Sequence, residues 1–195
     1  MLEAVPRPPR DQSAGVFHVF THSVWGYPNL FADDVDRIEF IRHLARASAR
    51  PGWTCMAFCL MGNHYHLIVE VGDAVLPPAM KDVNWSYARA FNARYGFRGH
   101  VQHDRYGSRR IVDEDDLLTR YAYVVNNPVE AGLCDTADAW SWSSHAGTIG
   151  TRPPVSFVDP TRVLASFRWT NVEPREALRR YVDQRRRSAG LVAIR

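Results

Sequence analysis

The sequence predicts an α+β fold: a ferredoxin-like antiparallel sheet with its helices on one face, followed by a basic helical C-terminal extension. Three observations carry that expectation. Strand-like and helix-like patterns alternate as β-α-β-β-α-β-α, two apolar runs meet across a Gly-Asn pair, and basic side chains gather toward the C-terminus.

Residues 16–25 (VFHVFTHSVW) are rich in β-branched and aromatic side chains and read as a strand, closed by Gly26, Pro28 and Asn29. Asp33 or Asp34 supplies an N-cap for a helix in which Val35, Ile38, Ile41, Leu44, Ala45 and Ser48 recur at helical spacing until Pro51-Gly52. Residues 53–61 and 64–71 form two apolar runs broken by Gly62-Asn63, a hairpin signal. A second helix begins at Pro77-Pro78, carries the stripe Leu76, Met80, Val83, Tyr87 and Phe91, and stops at Gly96. Residues 100–112 hold a further strand. Asp113 to Asp116 place negative charge at the start of a third helix, whose apolar face is Leu117, Leu118, Tyr121, Val124 and Val125 and whose exit is marked by Pro128. The WSWSS segment at 140–144 suits a docking loop. Beyond Pro153-Pro154, a short helix near 160–167 precedes an amphipathic one over 173–188, with Leu178, Tyr181 and Val182 inward. The domain reading is a Pro-rich disordered tail at 1–14, one domain at 15–150 and the extension at 151–195.

The chain has 195 residues, 46 % hydrophobic and 23 % charged, enough for one globular domain and an appendage. Its longest apolar stretch, residues 53–62, is far short of the ~20 residues that cross a bilayer. Residues 1–15 hold prolines and charges where a signal peptide needs an apolar core, so the expected location is the cytoplasm. Cys55, Cys59 and Cys134 match neither a disulfide framework nor a zinc ribbon. The net charge of +3 conceals an asymmetry: residues 151–195 hold 10 basic and 4 acidic side chains, while residues 1–150 hold 14 and 17. A basic tail points to a polyanionic partner.

Two clusters could carry chemistry. In residues 63–70 (NHYHLIVE), strand alternation puts His64, His66, Ile68 and Glu70 on one face. Two parallel imidazoles can share one ion if a third ligand joins them, and they also fit a structural pair. In residues 120–128 (RYAYVVNNP), Asp116, Arg120, Tyr123 and Asn127 line a stripe distinct from the apolar face. A phenol nucleophile with an amide ligand one turn later is a workable pair, and so is a half-buried aromatic beside a helix C-cap. His18 and His22 share a face of the first strand and could approach such a site, although lone strand histidines are usually structural.

Residues 85–110 carry six arginines (Arg89, Arg94, Arg98, Arg105, Arg109 and Arg110) interleaved with six aromatic rings. That composition, with Arg179, Arg180, Arg185, Arg186 and Arg187 on the outer face of the last helix, suits single-stranded nucleic acid. There is no Gly-rich phosphate loop, nucleophile elbow or Cys-His protease pattern.

Five motifs stand in order: MGNHYHL at 61–67, FNARYG at 91–96, GHVQHDRY at 99–106, RYAYVVNNPVEAGL at 120–133 and WSWSS at 140–144. Together they resemble the single-tyrosine HUH transposases, in particular the REP-associated tyrosine transposase branch, over residues 16–150. The segments VDPTRVLASF and PREALRRYV look like the basic C-terminal extension of that branch. The resemblance implies a nucleoid-associated enzyme that cuts single-stranded DNA at or near an imperfect hairpin through a 5′-phosphotyrosine. It implies His64 and His66 as the HUH pair, Tyr123 as nucleophile and Asn127 as third ligand; for such a His₂-amide site availability favours Mg²⁺ and affinity favours Mn²⁺. Tyr121 is a rival nucleophile, but it falls on the apolar face and not five residues before the proline. The sequence departs from the family at Tyr65, where an aliphatic residue is usual, and at THSVWG, where an Arg-Gly turn is common. A domesticated hairpin-binding protein without turnover is the alternative, and a metallohydrolase using water is a third reading.

Overall fold

The computed structural model describes residues 11, 13–23, 29–73, 75–102 and 105–192, excepting the side chains of 187–192. Four strands, β1 (Gly15–His22), β2 (Trp53–Leu60), β3 (His64–Val71) and β4 (Gly107–Ile111), form one sheet in the order β2-β3-β1-β4. Every neighbouring pair is antiparallel, the ferredoxin-like arrangement. Helix α1 (Asp34–Ser48) connects β1 to β2, α2 (Leu76–Tyr95) connects β3 to β4, and α3 (Glu114–Glu130) follows β4. Among the described residues three more α-helices follow: α4 (His145–Ile149), α5 (Thr161–Ala165) and α6 (Pro174–Val192). Among the described residues no helix is long and apolar enough to cross a membrane.

The expectation of helices on one face holds for α1 and α2 only. Phe17, Val19, Tyr65, Leu67 and Val69 point toward those two helices, while Val16, Met56, Ala57, Cys59 and Ile68 point toward α3 and α6. The reason lies in β2 and β3, which are apolar on successive residues and therefore need cover on both sides. A bulge between Cys55 and Ala57 places Met56 and Ala57 together on the α3 side. The extension is thus part of the core: Leu178 and Val182 of α6 are fully buried against α3, and the Asn126 side-chain amide donates to Val182 O at 3.0 Å.

Helix α2 buries the expected stripe and ends at Gly96, whose φ of 63° is left-handed. Helix α1 is turned from the expected face. Val35 and Ile38 are exposed and Asp36, Phe40 and Ala47 are buried in their place, while Leu44 and, in part, Ile41 of the expected stripe do face the core. Asp36 faces inward because Arg94 (2.6 Å) and the Tyr95 hydroxyl (3.0 Å) both reach it from α2.

Pro128 lies inside α3 rather than ending it. The Asn127 amide nitrogen donates to Tyr123 O at 2.8 Å and reaches Val124 O, the carbonyl that Pro128 has no N–H to serve, at 3.5 Å. The WSWSS segment docks as expected, along the open edge of β2. Leu60 N donates to Trp142 O (2.8 Å), Ser144 N to Phe58 O (3.1 Å) and Trp140 Nε1 to Leu60 O (3.1 Å), so the edge is paired. Of the predicted tail, residues 1–10 and 12 lie outside the described residues, while Asp11 forms an ion pair with Arg110 at 2.7 Å. Gly26 and Pro28, expected to close the first strand, also lie outside them.

Candidate active site

The candidate site forms where the hairpin meets α3. Alternation along β3 aims His64 and His66 to the α3 side, and the β1 register sets His22 opposite His64 and Phe20 opposite His66. Gly107 of β4 stands opposite Phe20, where a Cβ would come 2.5 Å from the ring, so glycine lets Phe20 lie flat across the strand. The result is a cleft of about 500 Å³ lined by His18, Phe20, His22, His64, His66, Ser108, Arg109, Arg120, Tyr123 and Asn127.

Each histidine of the pair is oriented by a second group. His64 Nδ1 is 2.7 Å from Asn63 Oδ1, the shorter of its two contacts with amide oxygens, so in the neutral ring Nδ1 carries the proton and Nε2 keeps its lone pair. His64 Nε2 lies 3.4 Å from Asn127 Oδ1. His66 Nδ1 lies 2.9 Å from His18 Nε2, with both rings buried. Burial, with the neighbouring imidazoles His18, His64 and His22 adding repulsion, holds His66 down to about 3. Burial and the Arg109 charge hold His18 down to about 4. His64 is lowered as well, by burial first and by His22, with Asn127 opposing. His18, His64 and His66 are therefore neutral at physiological pH, the form in which imidazole ligates metals.

Helix α3 supplies the remaining groups. Asn127 has its amide nitrogen tied to its own helix, so Oδ1 faces the histidines. Tyr123, one turn earlier, is 40 % exposed and stands edge-on to His66 (ring centroids 5.4 Å apart) and His18 (5.8 Å). Arg120 continues the stripe and shares Asp116 with Arg109, at 3.4 and 3.7 Å. Two guanidinium groups against one carboxylate leave the cleft wall positive.

Among the described residues, no three His, Cys, Asp or Glu side chains converge as metal ligands. A cation here would need an oxygen from outside that set, and the Asn127 amide is placed to give it. Two imidazole nitrogens plus one neutral oxygen suit a divalent ion that retains open positions.

The two rival tyrosines are separated. Tyr121 is completely buried on the other side of α3, its hydroxyl 3.0 Å from His145 Nδ1, and burial pushes its ionisation up. The expected DNA-contacting arginines divide. Arg109 lines the histidine cleft, Arg89 and Arg105 line a second one beside α2, and Arg98, Arg179 and Arg180 are exposed. Arg94 is instead held by Asp33 and Asp36, and Arg110 by Asp11, because acidic residues outside the basic segment fold back onto it. Arg185 reaches Thr119 Oγ1 at 3.3 Å, Arg186 donates to Asp135 O, and the Arg187 side chain lies outside the described residues. Sequence reasoning placed His18 and His22 on one strand face and Arg120 on the stripe of Tyr123 and Asn127, but gave none of the three a role in the site; the structure puts all three in the cleft lining. The i, i+4 spacing of the first two was visible, but the strand they would face was not.

No family model matches the chain, and no curated protein matches it. Among solved structures, the chain is similar to that of a REP-associated tyrosine transposase bound to a REP hairpin. The identity is 17 %, the TM-score is 0.63, and the match covers 80 % of this chain and 94 % of that one. The chain thus has the fold of a REP-associated tyrosine transposase.

Proposed function

We propose that this protein is a single-tyrosine HUH enzyme of the REP-associated branch, a metal-dependent endonuclease and strand transferase acting on single-stranded DNA at or near a hairpin. One observation carries the reading: Tyr123 and Asn127 of α3 meet His64 and His66 of β3 in one cleft, with His64 Nε2 3.4 Å from Asn127 Oδ1. The hairpin-bound structural neighbour supports the class of partner.

His64, His66 and Asn127 would hold the ion, Mg²⁺ or Mn²⁺. When bound, it supplies charge withdrawal from a non-bridging phosphate oxygen. Arg109 and Arg120 hold the strand by its phosphates. Tyr123, on a rigid helix, presents its phenol oxygen to phosphorus. The Oη–P bond forms as the P–O3′ bond breaks. The phenol proton passes to solvent, the departing O3′ takes one up, and the products are a 5′-phosphotyrosine and a free 3′-hydroxyl. Transfer to a second 3′-hydroxyl reverses these bond changes and restores Tyr123. A denaturing gel of protein incubated with single-stranded hairpin DNA tests the proposal: a covalent species should form with Mn²⁺ and be absent with chelator. DNA cut without any covalent species would instead indicate water as nucleophile.

A further inference from the structure

A second cleft, of about 910 Å³, lies beside α2 on the sheet face opposite the histidine pair. Its volume falls within the ~300–1,000 Å³ of ligand sites. Pro77, Lys81, Trp85 and Arg89 form one row at four-residue spacing along α2, and Asn84, Ala88 and Asn92 form a second row beneath it. The first row sits on the opposite side of the helix from the buried stripe, so core packing does not account for it, while the second flanks the stripe, with Ala88 packed against the core.

Trp85 is 58 % exposed, and the Arg89 guanidinium lies 4.6 Å from its ring centroid. Lys81, Arg89 and Arg105 line the cleft, and no carboxylate does among the described residues. The floor is polar and fixed. Asn84 Oδ1 accepts from the Tyr65 hydroxyl (2.8 Å) and from Gln102 Nε2 (3.0 Å), which leaves Nδ2 as its other hydrogen-bonding end. Asn92 donates to Gly99 O at 3.0 Å, and its Oδ1 is a buried acceptor with no partner among the described residues. A ring platform, cations and an amide donor and acceptor are together suited to a nucleotide whose base is unpaired.

The two clefts are joined through β3. Tyr65, between His64 and His66, points the other way and holds Asn84. Ser23 pairs with Gln102 one residue beyond the His22–His64 pair, so the second cleft opens at the sheet end where the histidines stand.

We infer that the cleft lined by α2, residues 99–102, Arg105 and Tyr106 binds an unpaired deoxynucleotide of the substrate strand, its base stacked on Trp85, its edge met by Asn84 and Asn92, and its phosphates by Lys81, Arg89 and Arg105. The inference rests on the reading of the chain as a single-stranded DNA enzyme. It assigns Tyr65 a role that an aliphatic residue would not perform, since its hydroxyl sets the Asn84 amide.

The test is equilibrium binding of the full chain, in chelator, to a fluorescein-labelled mixed-sequence single-stranded deoxyoligonucleotide, to its blunt duplex and to the same strand as RNA. Trp85→Ala should weaken single-strand binding by about 5- to 150-fold, the range for loss of one stacked base, and shift duplex binding by less than about twofold. Abasic sites in the strand should weaken binding to the wild-type chain and have little further effect on Trp85→Ala, a comparison that guards against misfolding of the variant. Wild-type affinity in Trp85→Ala, an equal abasic penalty in both proteins, or tighter binding of RNA than DNA would overturn the assignment. The same preparations are assayed for the Tyr123 adduct. An adduct with a silent Trp85→Ala would remove the cleft assignment alone, whereas a Trp85 effect without an adduct would remove the nuclease reading and leave the cleft.

Discussion

His18→Leu separates the scaffold of the candidate site from its proposed ligands. The substitution keeps an apolar side chain of roughly similar reach in a position only 4 % exposed, and it removes the nitrogen 2.9 Å from His66 Nδ1. Loss of such an orienting partner typically costs 10- to 100-fold in metal affinity, or about 1.4–2.7 kcal/mol. A second effect follows from protonation. His18 ionises near 6.5 when exposed and about 4 in the fold, so the unfolded chain takes up a proton on acidification that the folded chain refuses. The folded state therefore loses stability as pH falls from above 6.5 toward 4, by about 2 kcal/mol at pH 5 for this one group. His18→Leu should remove that loss. Calorimetric Mn²⁺ titration at pH 7.5 and urea denaturation of metal-free protein at pH 7 and pH 5 measure the two effects. Unchanged Mn²⁺ affinity would refute the orienting role, and an unchanged stability difference between the two pH values would refute the buried neutral imidazole.

Three further outcomes follow from the same geometry. Arg94→Ala should destabilise the fold by about 3–5 kcal/mol in urea denaturation, since Asp36 is 3 % exposed and would be left buried without its cation; a loss below about 1 kcal/mol would contradict this. Leu178→Ala should cost about 2–5 kcal/mol because α6 is part of the core, whereas Arg179→Gln with Arg180→Gln should leave stability near wild type and reduce the salt dependence of DNA binding by ~0.7–0.9 per lost phosphate contact. An unchanged salt slope would mean that this face of α6 does not meet DNA. His64→Ala, His66→Ala and Asn127→Ala should each abolish Mn²⁺-dependent cleavage and retain hairpin binding in chelator, and normal cleavage by His66→Ala would sink the ligand assignment.

Local physics made most of the fold legible. Asp33 or Asp34 was readable as a cap, Asp113 to Asp116 as the charged start of a helix, Gly62-Asn63 as a turn and Gly96 as a helix stop, because each acts on its immediate neighbours. The orientation of α1 was not legible. Val35 and Ile38 make as good an apolar stripe as the true face, and the deciding contacts come from Arg94 and Tyr95, some 60 residues away. The second layer of helices was hidden in the same way: the doubly apolar pattern of β2 and β3 demanded cover without naming α3 and α6 as its source. In the site, Tyr123 and Asn127 could be paired by helical spacing, and His64 with His66 by strand alternation. Joining the two pairs required the packing of α3 on β3, and recruiting His18 required the β1–β3 register. Arg94 and Arg110 show the limit of composition, since a local count of charge is blind to carboxylates folded back onto it.

The most direct measurement of the central claim is peptide mapping by mass spectrometry of the covalent species formed on a single-stranded hairpin substrate with Mn²⁺, together with end-group analysis of the released strand. The account predicts that the adduct lies on Tyr123 through a 5′-phosphate, that the released strand ends in a free 3′-hydroxyl, and that Tyr123→Phe abolishes it while Tyr121→Phe retains it. Mapping to Tyr121, a 3′-linked product or an adduct that persists in Tyr123→Phe would contradict it.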